Sequence, residues 1–288
     1  MKETSSIDMT GKVVAITGAN AGIGRATAQA LAGMGATVLA CGRSQAKLEQ
    51  AAEAIRFSTG NDRVQTFVAD LSSMAQVRGL AAAIRESTDR LDVLINNAGV
   101  AADRWVETED GFELIFAVNY LATFVLTTEL VPLLKASAPA RVLTVSSALH
   151  ASVKRFDLDD LQGREGFKWD AAYNRAKLAG VLFSAELARR LDGTGVTSNA
   201  LHPGVIATDF GADGDLHGLN AFMFRAMKWF LPGPDAGARP SVYLASAPEL
   251  ARVTGRYFDK CAEKAPGKLA QDEALARGLW VATEALVG

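Results

Sequence analysis

The stretch Lys12–Ala28, KVVAITGANAGIGRATA, decides the fold. Val13, Val14, Ala15 and Ile16 form a short apolar run, closed by Thr17, of the kind expected for a strand buried on both faces. Gly18, Gly22 and Gly24 follow, and then residues that favour a helix. Glycines allow the backbone a sharp turn and a close approach to a ligand, while a helix start presents unpaired N–H groups and a positive dipole end. Strand, turn and helix together read as a seat for the pyrophosphate of a dinucleotide, with no charged side chain required.

The spacing is Gly-x-x-x-Gly-x-Gly, not the Gly-x-Gly-x-x-Gly of the Rossmann fingerprint, so the physics transfers while the motif does not. A tight turn without a ligand is the competing reading, and the rest of the chain weighs between the two. Beyond this stretch, Ala36–Ala40, Val64–Val68, Leu91–Ile95, Arg141–Val145 and Val196–Leu201 read as further strands, with a last short one around Arg256–Phe258. Helical segments alternate with them: Gln45–Arg56, Met74–Arg90, a long stretch from Gly111 to Lys135, Ala171–Leu191 and Asp235–Ser246. Such alternation predicts an α/β domain, a doubly wound parallel sheet of about seven strands with helices on both faces.

A chain of 288 residues, 49% hydrophobic and 22% charged, suits one domain spanning 1–288 with a large core. Its formal charge of -2 offers nucleic acid or an anionic membrane no attraction. The polar start, MKETSSIDMTGK, lacks the apolar run of an export signal, and no later run is read as reaching the roughly 18 apolar residues of a membrane span. Two cysteines, Cys41 and Cys261, are too few for a disulfide framework or a zinc site, so no metal and a cytoplasmic setting are expected. Residues 209–234 break the alternation with three glycines followed by LNAFMFRAMKWFLPGP. Phe222, Phe224, Met227, Trp229 and Phe230 make this insert a candidate lid over an apolar substrate or a subunit interface; two basic residues argue poorly for membrane contact. A helical tail occupies 264–288.

Ligands of open α/β sheets bind at the C-terminal ends of the strands, where the polar candidates of this chain gather. Tyr173 and Lys177, spaced i, i+4, share a helix face, and an ammonium beside a phenol lowers its pKa toward a useful range. Ser147, at the end of the fifth strand, can donate a hydrogen bond to a carbonyl oxygen, whereas the Ser146 hydroxyl is expected to be tied to local backbone. Lone histidines near a strand end are more often structural than catalytic, and His150 and His202 are left unassigned. At the end of the second strand, Gly42, Arg43 and Ser44 replace the acidic residue that would bind a ribose 2′-hydroxyl, and they favour a 2′-phosphate, hence NADP(H).

TGANAGIG at 17–24, NNAG at 96–99, Asn119 in AVNYLATF, VSS at 145–147, YNRAK at 173–177 and HPGVIATDF at 202–210 together resemble the short-chain dehydrogenase/reductase family. TGANAGIGRATA, DGFELIFAVNYLATF and VSSALH resemble its retinol-dehydrogenase-like branch. The resemblance implies that Tyr173 exchanges a proton with substrate, Lys177 holds the ribose and lowers the tyrosine pKa, Ser147 orients the carbonyl, and Asn119 supports a proton relay. It implies cofactor contacts from Gly18, Asn20, Gly22, Ile23 and Gly24, from Asp70 and Leu71, and from Asn97, Ala98 and Gly99. Pro203, Gly204, Val205 and Thr208 complete that set at the nicotinamide end. An NADP(H)-dependent enzyme acting on a hydrophobic alcohol or its ketone or aldehyde is the expectation, as a dimer or tetramer. A non-catalytic NADP(H) sensor or scaffold and a nucleotide-sugar epimerase or dehydratase are the alternatives. The segment HASVKRFDLDDLQGREGFKWDAA, between Ser147 and Tyr173, is unusually long and is expected to form one wall of the substrate cleft.

Overall fold

A computed structural model describes residues 7–204 and 232–288. Val205, Thr208 and all but the last three residues of the expected lid lie outside the described residues. The elements are β1 (Val13–Thr17), α1 (Gly22–Gly33), β2 (Thr37–Gly42), α2 (Gln45–Thr59), β3 (Val64–Val68), α3 (Met74–Ser87) and β4 (Val93–Asn96). A composite helix follows: α4 (Leu114–Phe116), a π-helical turn (Ala117–Leu121) and α5 (Ala122–Ala136). Then come β5 (Ala140–Val145), α6 (Trp169–Arg190), β6 (Val196–His202), α7 (Pro234–Ser246), β7 (Tyr257–Asp259), β8 (Ala262–Glu263) and α8 (Glu273–Val287).

The strands form one sheet in the order β3-β2-β1-β4-β5-β6-β7-β8. Every pairing through β7 is parallel, and β8 is antiparallel to β7. The eighth strand corrects the expected number of about seven. It escapes the sequence because it is a two-residue hairpin return, too short for any alternation to register. Helices cover both faces. Leu31, Leu48, Ile55 and Leu244 pack one face from α1, α2 and α7, while Ile84, Leu130, Phe183 and Trp280 pack the other from α3, α5, α6 and α8. Ile16, Leu94 and Ile95, in the central strands, are wholly shielded from water, each burial contributing roughly 1.5–3 kcal/mol.

The chain order reverses between β1 and β4, which are neighbours in the sheet although β2 and β3 separate them in sequence. This switch point opens a crevice at the C-terminal ends of the strands. Its floor is stitched: Thr17 Oγ1 accepts from the N–H groups of Asn97 and Ala98, both at 3.0 Å, and Asn97 Nδ2 donates to the Thr17 carbonyl at 2.9 Å.

The stretch expected to be one helix over 111–135 starts at Leu114, and the Ala122 N–H bonds the Ala117 carbonyl five residues back. Glu113, with no exposed surface, caps the start by accepting from the Ile115 and Phe116 N–H groups at 2.9 and 2.8 Å. Residues 114–136 depart from the expectation that no run reaches the length of a membrane span. The segment is long and apolar enough to cross a membrane by length and composition, but 78% of its most apolar stretch is buried inside this fold. Its apolar surface is used by the core.

Candidate active site

Around the first turn, the glycines divide their work. Gly18 and Gly22 adopt left-handed φ angles of 70° and 52°, which side chains disfavour. Gly24 has a different reason for being glycine: a Cβ there would fall 2.2 Å from the Gly18 carbonyl oxygen and 2.5 Å from Asn97 Nδ2. Its bareness lets α1 press against the loop itself, so one of the three glycines read as making room for a ligand makes room for the protein. Ala21 is the N-cap of α1 and no side chain caps the helix start, which leaves the first N–H groups and the dipole directed at the crevice. A dinucleotide pyrophosphate fits that cradle.

At the end of β2, a Cβ on Gly42 would meet Asn20 Oδ1 at 2.9 Å, so this glycine lets the two loops close on each other. Ser44 is the N-cap of α2, its hydroxyl accepting from Lys47 N–H at 3.4 Å, and it retains a proton to donate to an anion. Arg43 stands exposed beside it. The Asp70 carboxylate accepts from the N–H and hydroxyl of Ser72 at 2.9 and 2.8 Å, a local turn that orients it. Leu71 lines a narrow space with Thr17, Asn96 and Ala98.

The polar quartet converges at the ends of β4 and β5. The Ser147 side chain stands beside the Tyr173 phenol, a polar neighbour that draws the phenol's pKa down. Ser147 Oγ accepts from the Leu149 N–H at 3.2 Å. One turn along α6, Lys177 Nζ lies 5.6 Å from the centroid of the Tyr173 ring and donates to the Val145 carbonyl at 3.0 Å. Ser146 donates its hydroxyl to the Lys177 carbonyl at 2.8 Å, so it is tied to backbone, but to a partner 31 residues away and not to the local backbone expected. Gly180 brings α6 close to β5, since a Cβ there would sit 3.3 Å from Thr144 Cγ2.

Asn119 lies in the π-helical turn and makes two bonds to Val100: its Oδ1 accepts from the N–H at 2.7 Å and its Nδ2 donates to the carbonyl at 3.0 Å. A Cβ on Gly99 would fall 3.3 Å from Asn119 Oδ1 and 3.4 Å from Lys177 Nζ, which locates the amide, the ammonium and the NNAG loop together. Pro203 and Gly204, with φ of 99°, follow β6 at the same end of the sheet.

Electrostatics here differ from the sequence reading in one respect. The phenol was expected to be lowered by its ammonium neighbour. Burial instead pushes Tyr173 up to about 12, against the opposing effect of the neighbouring Ser147 side chain. Burial also pulls the Lys177 ammonium down to about 8. At 5.6 Å from the ring, the charge does not offset what the phenolate loses by leaving water.

Glu113 and Thr17 escaped the sequence reading. The first carries a signal, an acid directly before the apolar run LIFAV; the second reads only as the last residue of a strand. The segment between Ser147 and Tyr173 packs back on the loop after β4: Gln162 accepts from the Glu113 N–H at 2.6 Å, and Phe167 meets Trp105 edge-on at 5.7 Å.

Residues 12–215 match the family model for short chain dehydrogenases. The chain is 46% identical to human retinol dehydrogenase 13 over 288 residues, covering 99% of this chain and 87% of that protein. It is 41% identical to mouse polyprenol dehydrogenase over 289 residues, 96% and 84% of the two chains. A solved structure of a short chain dehydrogenase from Escherichia coli CFT073 complexed with NADPH superposes with a TM-score of 0.70 at 27% identity, covering 90% of this chain and 100% of that one. With the switch-point crevice and near full-length identity in agreement, the chain belongs to the short-chain dehydrogenase/reductase family, on its retinol-dehydrogenase-like branch.

Proposed function

We propose that this oxidoreductase uses NADP(H) to interconvert a hydrophobic alcohol and its ketone or aldehyde. The observation that carries the proposal is the placement of the Lys177 ammonium, held on the Val145 carbonyl at 3.0 Å and 5.6 Å from the centroid of the Tyr173 ring, at the strand end that presents Ser147. When bound, the nicotinamide supplies or takes the hydride. In the reducing direction, Ser147 and Tyr173 donate hydrogen bonds to the carbonyl oxygen, stabilising the charge that develops on it. Tyr173 then transfers its proton to that oxygen. A phenol held near 12 is protonated at neutral pH, the state this step needs, and the phenolate left behind gains the attraction of Lys177. An ammonium pulled down to about 8 releases a proton readily enough to restore the phenol, with Asn119 beside it supporting the relay.

For the cofactor, the uncapped start of α1 would hold the pyrophosphate. Arg43 and Ser44 would face a 2′-phosphate where no acidic residue opposes it. The NADPH of the E. coli structure supports the same choice. Retinol and polyprenol, in the names of two relatives, support an apolar alcohol as substrate.

The test follows nicotinamide absorbance with NADPH, NADH and their oxidised forms against a panel of hydrophobic alcohols, aldehydes and ketones, with Tyr173→Phe as control. Turnover that prefers the phosphorylated cofactor and falls by at least about 100-fold in the variant is the expected outcome. NADPH binding without turnover on any member of the panel would favour a sensor. Undiminished turnover by Tyr173→Phe would remove the assignment of the tyrosine.

A further inference from the structure

His150 uses both ring nitrogens and is 3% exposed. Its Nδ1 lies 2.6 Å from the Ser147 carbonyl oxygen, and the Gly267 N–H points at its Nε2 from 2.9 Å. A carbonyl can only accept and a backbone N–H can only donate, so these contacts assign the ring one state: neutral, with the proton on Nδ1. The ring also packs against Tyr257 of β7, centroids 4.7 Å apart. Three distant segments therefore meet on it: the serine turn, β7, and the residues before α8.

The backbone is shaped to allow this. A Cβ on Gly267 would fall 2.7 Å from the Ala151 Cα, so only a glycine lets the later segment come so close to the 3-10 turn Ala148–Ser152. In turn, the Ser147 carbonyl receives two donors, Nδ1–H and the His150 N–H at 3.2 Å. These pin the peptide plane that follows Ser147, whose own φ and ψ are extended at -141° and 153°. The direction of the Cα–Cβ bond depends on that plane, and with it the aim of Oγ at the Tyr173 phenol.

We propose that His150 is a positioning residue: through its Nδ1–H bond to the Ser147 carbonyl it holds the serine hydroxyl in register with Tyr173, and its Nε2 ties that register to the segment around Gly267. This rests on the proposed roles of Ser147 and Tyr173. The ring itself touches neither substrate nor cofactor in that role. It gives the histidine, unassigned from sequence, a specific mechanical role.

The test separates the two nitrogens. In His150→Asn, the side-chain amide can place an N–H where Nδ1 stands and keep the Ser147 bond. In His150→Gln, the amide reaches the Nε2 position and can keep the Gly267 bond alone. His150→Phe keeps neither. Turnover number and KM are measured for each with NADPH and a carbonyl substrate, beside NADPH affinity and melting temperature.

The expected result is a turnover number lowered about tenfold in the Gln and Phe variants, what one neutral hydrogen bond is worth, and within about threefold of wild type in the Asn variant. NADPH affinity stays level throughout. Equal turnover in Asn and Gln variants, or a larger loss in Asn, overturns the proposal. A measurement on the unaltered protein guards against variants that fail to fold: among three histidines, the ¹⁵N shifts of His150 must show the neutral Nδ1–H form at neutral pH. An Nε2–H tautomer overturns the proposal as well. Full activity in Ser147→Ala and Tyr173→Phe would instead defeat the underlying reading, a result distinguishable from the failure of His150 alone.

Discussion

Two ionisable side chains one helical turn apart are driven in opposite directions by the same cause. Tyr173 is pushed up to about 12 and Lys177 down to about 8, both chiefly because burial penalises the charged form. Between pH 8 and the ordinary lysine value of 10.5, an unfolded chain keeps the Lys177 proton while the folded protein has begun to lose it. The unfolded state thus binds more protons in that window, and stability contributed by this group rises with pH. Tyr173 acts oppositely above pH 10, where the folded protein retains a proton the unfolded chain gives up, so its contribution falls. Lys177→Met should therefore exceed wild type in melting temperature at pH 7 and lose that advantage by pH 10. The expected difference is several degrees, since 1 kcal/mol moves the midpoint of a domain this large by roughly 2–4 °C. A constant difference across those pH values would show that the ammonium is not buried at this cost. Sequence showed the pair by its spacing; the sign of the tyrosine shift depended on burial, which no spacing reveals.

At the scale of elements, the first helix is seated by what Gly24 lacks. A methyl group there would strike the Gly18 carbonyl and the Asn97 amide, both belonging to the crevice floor. Gly24→Ala is expected to cost about 1–3 kcal/mol of stability through overpacking. Because the displaced atoms belong to the pyrophosphate loop and the NNAG stitch, NADPH affinity should fall with it. Denaturant titration and a cofactor binding curve check both; a variant that loses affinity without stability would point to the ligand, not the helix, as the reason for glycine. The composite helix teaches the complementary point. Its apolar pattern was visible, yet the π-helical turn that carries Asn119 was not, because a single extra residue in a turn leaves hydrophobic periodicity almost unchanged.

Across the whole molecule, the C-terminal helix closes one face of the sheet. Trp280 of α8 stacks on Phe183 of α6 at 5.6 Å and meets Phe124 of α5 edge-on at 4.9 Å. The Arg190 guanidinium lies 4.1 Å from the ring centroid, and the indole N–H donates to Glu284. Trp280→Ala should cost about 3–5 kcal/mol, read as a lowered denaturation midpoint with an unchanged slope. A loss under 1 kcal/mol would mean that the aromatic cluster does not hold the three helices together. The same helix leads back, through residues 267–271, to His150, so the C-terminal helical tail is joined to the serine turn.

What the sequence by itself determined is local in origin. The apolar runs of β1, β2, β4, β5 and β6, the helices between them and the glycine turn follow from burial pattern and backbone freedom. Tyr173 and Lys177 follow from one helix face. Tertiary structure alone decided which distant atoms meet: Asn119 on Val100, Ser146 on the Lys177 carbonyl, Glu113 on Gln162, and His150 between Ser147 and Gly267, 117 residues apart in its longest bond. It also decided that Gly24 makes room for protein, that an eighth strand completes the sheet, and that burial governs the phenol. The physical reason is common to all of these: desolvation and steric contact depend on the density of the folded interior, and residues far apart in the chain create it together.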